Sequence, residues 1–151
     1  MDESLRELYQ EVILDHSRHP RHFGALENAN HVGEGHNPLC GDRVKVYLHV
    51  GDQDKIDDIS FEGKGCAISQ ASASMMTDLV KGRTVAEAEK LMGGFLHLVK
   101  GEDASAIGPD DREHLDVMAG VQGFPMRVKC ATLAWHTMRS ALEGGASAKS
   151  E

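Results

Sequence analysis

Between Arg43 and Val50 the chain alternates without a break. Val44, Val46, Leu48 and Val50 interleave with Arg43, Lys45, Tyr47 and His49. A two-residue period sends one set to one face of an extended strand and the other set to the opposite face. Such a strand needs a core under one face and water over the other, which rules out an all-helical chain. Gly51-Asp52-Gln53-Asp54 supplies turn residues, and Ile56, Ile59 and Phe61 continue as a second strand. The two read as an antiparallel hairpin. Gly63 and Gly65 then bring the chain sharply into Cys66, where a helix is expected to begin and run to about Lys81.

The flanking segments are helical in pattern. Ser4 and Glu7 have capping-box spacing, and Leu5, Leu8, Val12 and Ile13 share a helical face that should end between His16 and Pro20. Residues 21–38 read as loop, with a weakly signalled strand around Asn30–Glu34. The Ala- and Ser-rich helix after Cys66 has small side chains that permit close approach to a neighbour, and Gly82 stops it. Thr84 and Glu87 predict a second capping box opening a helix toward Val99, weakened by Gly93-Gly94. Gly101–Pro109 reads as an acidic connector, 110–119 as a short helix, and a last helix is expected from Val128 through Leu142. Residues 1–143 read as one domain, and the tail 144–151 is expected to be disordered.

A formal charge of −8 argues against nucleic acid and anionic membrane surfaces as partners. No stretch approaches the roughly twenty apolar residues of a membrane span. The acidic, amphipathic start is unlike a secretory signal, so a cytoplasmic location is expected. Three cysteines, an odd number, do not suggest a disulfide framework. In a reducing compartment they are buried packing, reactive groups or metal ligands.

Their placement favours chemistry. Cys40 lies in a Pro-Leu-Cys-Gly-Asp turn before the first clear strand, Cys66 at a glycine-rich strand-to-helix junction, and Cys130 near the start of the last helix. Thiolates at helix starts gain from the macrodipole. Across Gly41, the Asp42 carboxylate can reach the same point as the Cys40 thiol. Three thiolates and one carboxylate suit a tetrahedral zinc site, or an anchor for iron in a small cluster. Arg43, Lys64, Arg127 and Lys129 flank these residues in sequence and could offset their charge.

The segments NPLCGD, GKGCAISQASASMM and RVKCATLAW, with the opening LYQEVILDHSRHPRHFG, resemble the IscU/SufU/NifU N-terminal family of iron–sulfur cluster assembly proteins. The likeness spans about residues 5 to 142. It implies an α+β fold, a small antiparallel sheet packed against several helices, in agreement with the strand–strand–helix pattern. IscU-type scaffolds carry His immediately before the third cysteine, whereas this chain has Lys129, and 100–122 resembles the insertion of the SufU type.

The resemblance therefore implies a Zn2+ site of Cys40, Asp42, Cys66 and Cys130, since a protonated lysine cannot ligate. It implies persulfide sulfur accepted on Cys40 from a SufS-like cysteine desulfurase and passed to an iron–sulfur scaffold or apo-protein. Whether such a carrier counts as an enzyme, a zinc-dependent sulfurtransferase, is left open. The alternative is a scaffold holding an iron–sulfur cluster on Cys40, Cys66 and Cys130, and a third reading is a purely structural zinc module.

Other motifs carry less. His16, His19 and His22 read as a hydrogen-bonded helix end, since Pro20 interrupts their common face. Gly33-Glu34-Gly35 lacks the third glycine and following helix of a dinucleotide motif. Ser69, Ser72 and Ser74 have no histidine at local spacing, so a serine hydrolase finds no support. Met75 and Met76 read as core.

Overall fold

The computed structural model describes residues 3–144 and the backbone of residues 148–149. In chain order these form α1 (Glu3–Arg18), β1 (His31–Asn37), β2 (Asp42–Val50), β3 (Ile56–Lys64), α2 (Ala67–Val80), α3 (Val85–Val99), α4 (Pro109–Leu115), α5 (Pro125–Leu142) and β4 (Ala148–Lys149). The fold is α+β. Strands β1, β2 and β3 make an antiparallel sheet with β2 in the centre, and β4 adds two residues in parallel along β1. Most of the tail expected to be disordered over 144–151 lies outside the described residues.

The alternation in β2 holds through Leu48, except that Tyr47 on the outer face is also buried, and Val50 is only half-buried. Val44, Val46 and Leu48 are buried and lie opposite Gly63, Phe61 and Ile59 of β3. On the other side, Val46 lies opposite Gly33 of β1. The weakly signalled strand is longer than expected because its inward positions are glycines, which carry no hydrophobic signal. A Cβ on Gly33 would stand 2.7 Å from the Thr137 carbonyl, and one on Gly35 would stand 1.9 Å from Thr137 Oγ1. Helix α5 therefore lies directly against the β1 backbone.

The small residues of α2 meet the same helix. Trp135 Nε1 donates to Ser72 Oγ at 3.0 Å, and Ser72 in turn donates to the Ala131 carbonyl at 2.5 Å. The Trp135 ring stacks on Phe95 of α3 with centroids 4.6 Å apart. The Thr84–Glu87 capping box is formed. Gly94 leaves room for Ile107, whereas a Cβ on Gly93 would meet nothing within 4 Å. The connector and the segment after it contribute to the core: Ala104, Ile107, Leu115, Met118 and Val121 are all buried.

Two starts differ from expectation. Helix α1 already includes Glu3, so Ser4 lies inside it and caps nothing. Helix α5 begins at Pro125, a residue that loses no hydrogen bond in a first turn. No residue of α1 is fully buried; it rests on α2 through Tyr9, Val12 and Ile13. His16 Nδ1 and Ser74 Oγ lie 2.8 Å apart, and the Arg21 N–H donates to the same oxygen. No described helix is long and apolar enough to cross a membrane.

Candidate metal centre

Strands β1 and β2 are joined by Pro38–Gly41, which closes the Asn37–Asp42 pair. Gly41 has φ +72, the left-handed conformation that the turn requires, and its N–H donates to Asn37 O at 2.9 Å. Cys40 stands exposed at this tip, while Asp42, two residues on, is 1% exposed. Cys130 reaches the same place from α5 and is buried. Its thiol donates toward Cys40 Sγ at 3.7 Å. The donor atoms of Cys40, Asp42 and Cys130 all lie within 4.8 Å of one another.

Cys66 does not join this tight group. It is exposed, and its Sγ caps α2 by accepting the Ser69 N–H at 3.4 Å. Its backbone is nonetheless tied to the site, since the Cys66 N–H donates to Asp42 Oδ1 at 3.0 Å. Gly65 makes that approach feasible, because a Cβ there would stand 2.4 Å from the same oxygen. The other carboxylate oxygen, Asp42 Oδ2, is buried with no hydrogen-bond partner among the described residues. A buried, unpartnered carboxylate oxygen is costly unless something occupies it.

The electrostatics of Cys130 run opposite to the sequence expectation. The residue sits past the first turn of α5, beyond the reach of the exposed N–H groups. Burial first, then the Asp42 carboxylate and the Cys66 thiol beside it, push Cys130 well above the ordinary thiol range. A cation among these donors reverses that balance. The donor set fits zinc: in a tetrahedral shell with Zn–S near 2.3 Å, two sulfurs stand about 3.8 Å apart. The observed Cys40–Cys130 separation is 3.7 Å.

The remaining candidates fall outside this cluster. Lys129 is partly exposed, and Arg127 lies over the Phe124 ring at 4.7 Å. His22 faces Asp78 at 3.6 Å. The His16–Ser74 contact, invisible at local spacing, is structural, because Ser74 is fully buried.

Fold and site together define a class: a small α+β domain that gathers two thiols and a buried carboxylate at one end of its sheet. The NifU-like N-terminal domain family matches residues 8–131. The iron–sulfur cluster assembly scaffold protein IscU of Streptococcus pyogenes is 42% identical over 96% of this chain and 89% of its own length. The zinc-dependent sulfurtransferase SufU of Bacillus subtilis is 39% identical over 94% of this chain and 96% of its own. A solved N-terminal NifU-like structure from Brucella abortus shares the fold, with TM-score 0.73 at 24% identity, covering 92% of this chain and 94% of that one. The chain belongs to the NifU-like N-terminal domain family of iron–sulfur cluster assembly proteins, alongside IscU and SufU.

Proposed function

We propose that this protein is a zinc-dependent sulfur acceptor, taking persulfide sulfur from a cysteine desulfurase. The observation that carries the reading is the convergence of Cys40, Asp42 and Cys130 around the unpartnered Asp42 Oδ2. Cys40, Asp42, Cys66 and Cys130 would hold the metal, with Cys66 turning in from its capping position. Bound zinc would keep the thiols deprotonated at neutral pH.

The chain's own residues divide the remaining work. Cys40 is the acceptor, being exposed on a short turn while Cys130 is buried on a helix. Its thiolate attacks the outer sulfur of the donor persulfide. The new S–S bond forms on Cys40, the donor S–S bond breaks, and the electron pair leaves on the donor cysteine as thiolate. Asp42 stays in place, held by the Cys66 N–H. Lys129, where IscU-type scaffolds carry histidine, supports transfer over scaffolding.

The test is alanine production by a SufS-like cysteine desulfurase. Zinc-loaded protein should stimulate it without iron, and Cys40→Ala should abolish the stimulation. No stimulation from a desulfurase that binds the protein would refute the acceptor reading. A second reading is favoured by the Streptococcus pyogenes relative, whose name is that of a scaffold. Under it, anaerobic iron and sulfide loading yields the visible absorption of a cluster held by Cys40, Cys66 and Cys130.

A further inference from the structure

The outer face of the sheet carries two neighbouring rows of charge that are treated differently. In one, strand register sets Glu34, Lys45 and Glu62 side by side across β1, β2 and β3. Opposite charges alternate there. Lys45 Nζ lies 3.8 Å from Glu34, and Glu62 accepts the Tyr47 hydroxyl. Two residues along, toward the cysteines, register sets His36, Arg43 and Lys64 side by side. Arg43 and Lys64 are exposed. Neither has an ion-pair partner among the described residues.

Like charges directly opposite each other weaken a sheet. The nearest carboxylates on that face, Glu34 and Glu62, belong to the neighbouring row, where Glu34 pairs with Lys45 and Glu62 accepts the Tyr47 hydroxyl. The row also sits at the site. Arg43 follows Asp42, Lys64 precedes the Gly65-Cys66 junction, and the Asn37–Asp42 pair is the next rung of the ladder. A hollow of about 640 Å³ spans both rows, lined by the charged side chains of Glu34, Arg43, Lys45, Glu62 and Lys64, by His36 and by Phe23, which is 53% exposed. An uncompensated basic row beside an exposed aromatic ring is complementary to an extended acidic segment with an apolar anchor.

We propose that His36, Arg43 and Lys64 form the docking row for an acidic segment of the sulfur-donating desulfurase. This rests on the acceptor reading above. The row orients an approaching partner so that its persulfide arrives at the Cys40 tip, and it repels basic surfaces. The cost of like charges in the free protein is relieved in the complex.

The experiment measures the affinity of the zinc-loaded protein for a purified SufS-like cysteine desulfurase at two salt concentrations. The variants are Arg43→Glu/Lys64→Glu and, as a control on α3, Lys90→Glu. The double variant should bind at least tenfold more weakly, with a shallower dependence on salt and unchanged zinc content, and Lys90→Glu should match wild type. Unchanged affinity in the double variant overturns the docking row and leaves the acceptor reading intact. Loss of zinc in the double variant also overturns it, since the row would then serve to balance the charge of the ligands. If the wild-type protein binds no desulfurase, the acceptor reading and the row fall together.

Discussion

Two buried junctions reach α5, and they are finished to different standards. At Trp135 the indole N–H meets Ser72, and Ser72 meets the Ala131 carbonyl, so each polar hydrogen in that relay has an acceptor. At Cys130 the thiol is pushed above its ordinary range, and Asp42 Oδ2 has no hydrogen-bond partner among the described residues. Cys130 and Asp42 are buried as Trp135 and Ser72 are, so exposure of these four groups does not explain the contrast. Completing every hydrogen bond makes a rigid seam. Leaving a buried carboxylate oxygen without a partner costs stability, and under the proposed function a bound cation offsets that cost.

The strongest way to break this comparison is to exchange the expected costs. Trp135→Ala removes a fully buried ring and the N–H that Ser72 accepts; it should destabilise the metal-free protein by about 3–5 kcal/mol in urea unfolding. Gly35→Ala drives a methyl into Thr137 and should cost about 1–3 kcal/mol. Adding Thr137→Ala should recover part of that loss, and a purely additive double variant would show that the two do not touch. Asp42→Ala should change metal-free stability by less than about 1 kcal/mol, because the lost Cys66 N–H bond is offset by removing a buried orphan. Its zinc content should nonetheless fall well below that of the wild type. A loss of stability as large as that of Trp135→Ala would erase the distinction between the junctions.

Two finer measurements sharpen it. Zinc added to metal-free protein in weak buffer should release protons, and fewer from Cys130→Ser, since that thiol is held protonated. The smallest effect concerns α1. Burial first, then the Arg21 guanidinium, lower His16, while Asp15 and Asp78 raise it and His114 lowers it. The folded protein thus favours neutral His16. Its contribution is full above the unfolded value of about 6.5 and is lost as pH falls through the lower folded value. His16→Gln should flatten that part of the decline in the urea midpoint between pH 7.5 and 5.5.

What could be read from the sequence was what local rules govern. The β2–β3 hairpin follows from alternation, the start of α2 from Gly65-Cys66, and the start of α3 from Thr84 and Glu87. Strand β1 was faint because Gly33 and Gly35 answer to α5, a partner about a hundred residues away. Ser4 and Glu7 satisfied the spacing of a cap without forming one. At the site, the Cys40–Asp42 pairing was legible because both flank one turn, and the approach of Cys130 rested on resemblance as much as on pattern. The capping role of Cys66 and the basic row were hidden, the first in a hydrogen bond to sulfur and the second in strand register.

The bare backbone of β1 has a consequence for how this protein tolerates change. Helix α5 is seated partly on main-chain atoms, since the atoms nearest a Cβ on Gly33 include the Thr137 carbonyl and the Ala141 nitrogen. Cys130 lies two turns up that helix. Its position is therefore insulated from much of the drift in volume that substitutions elsewhere in the core would bring. Neighbouring side chains can be exchanged while this sulfur keeps its address, and the two glycines are the positions where such freedom ends.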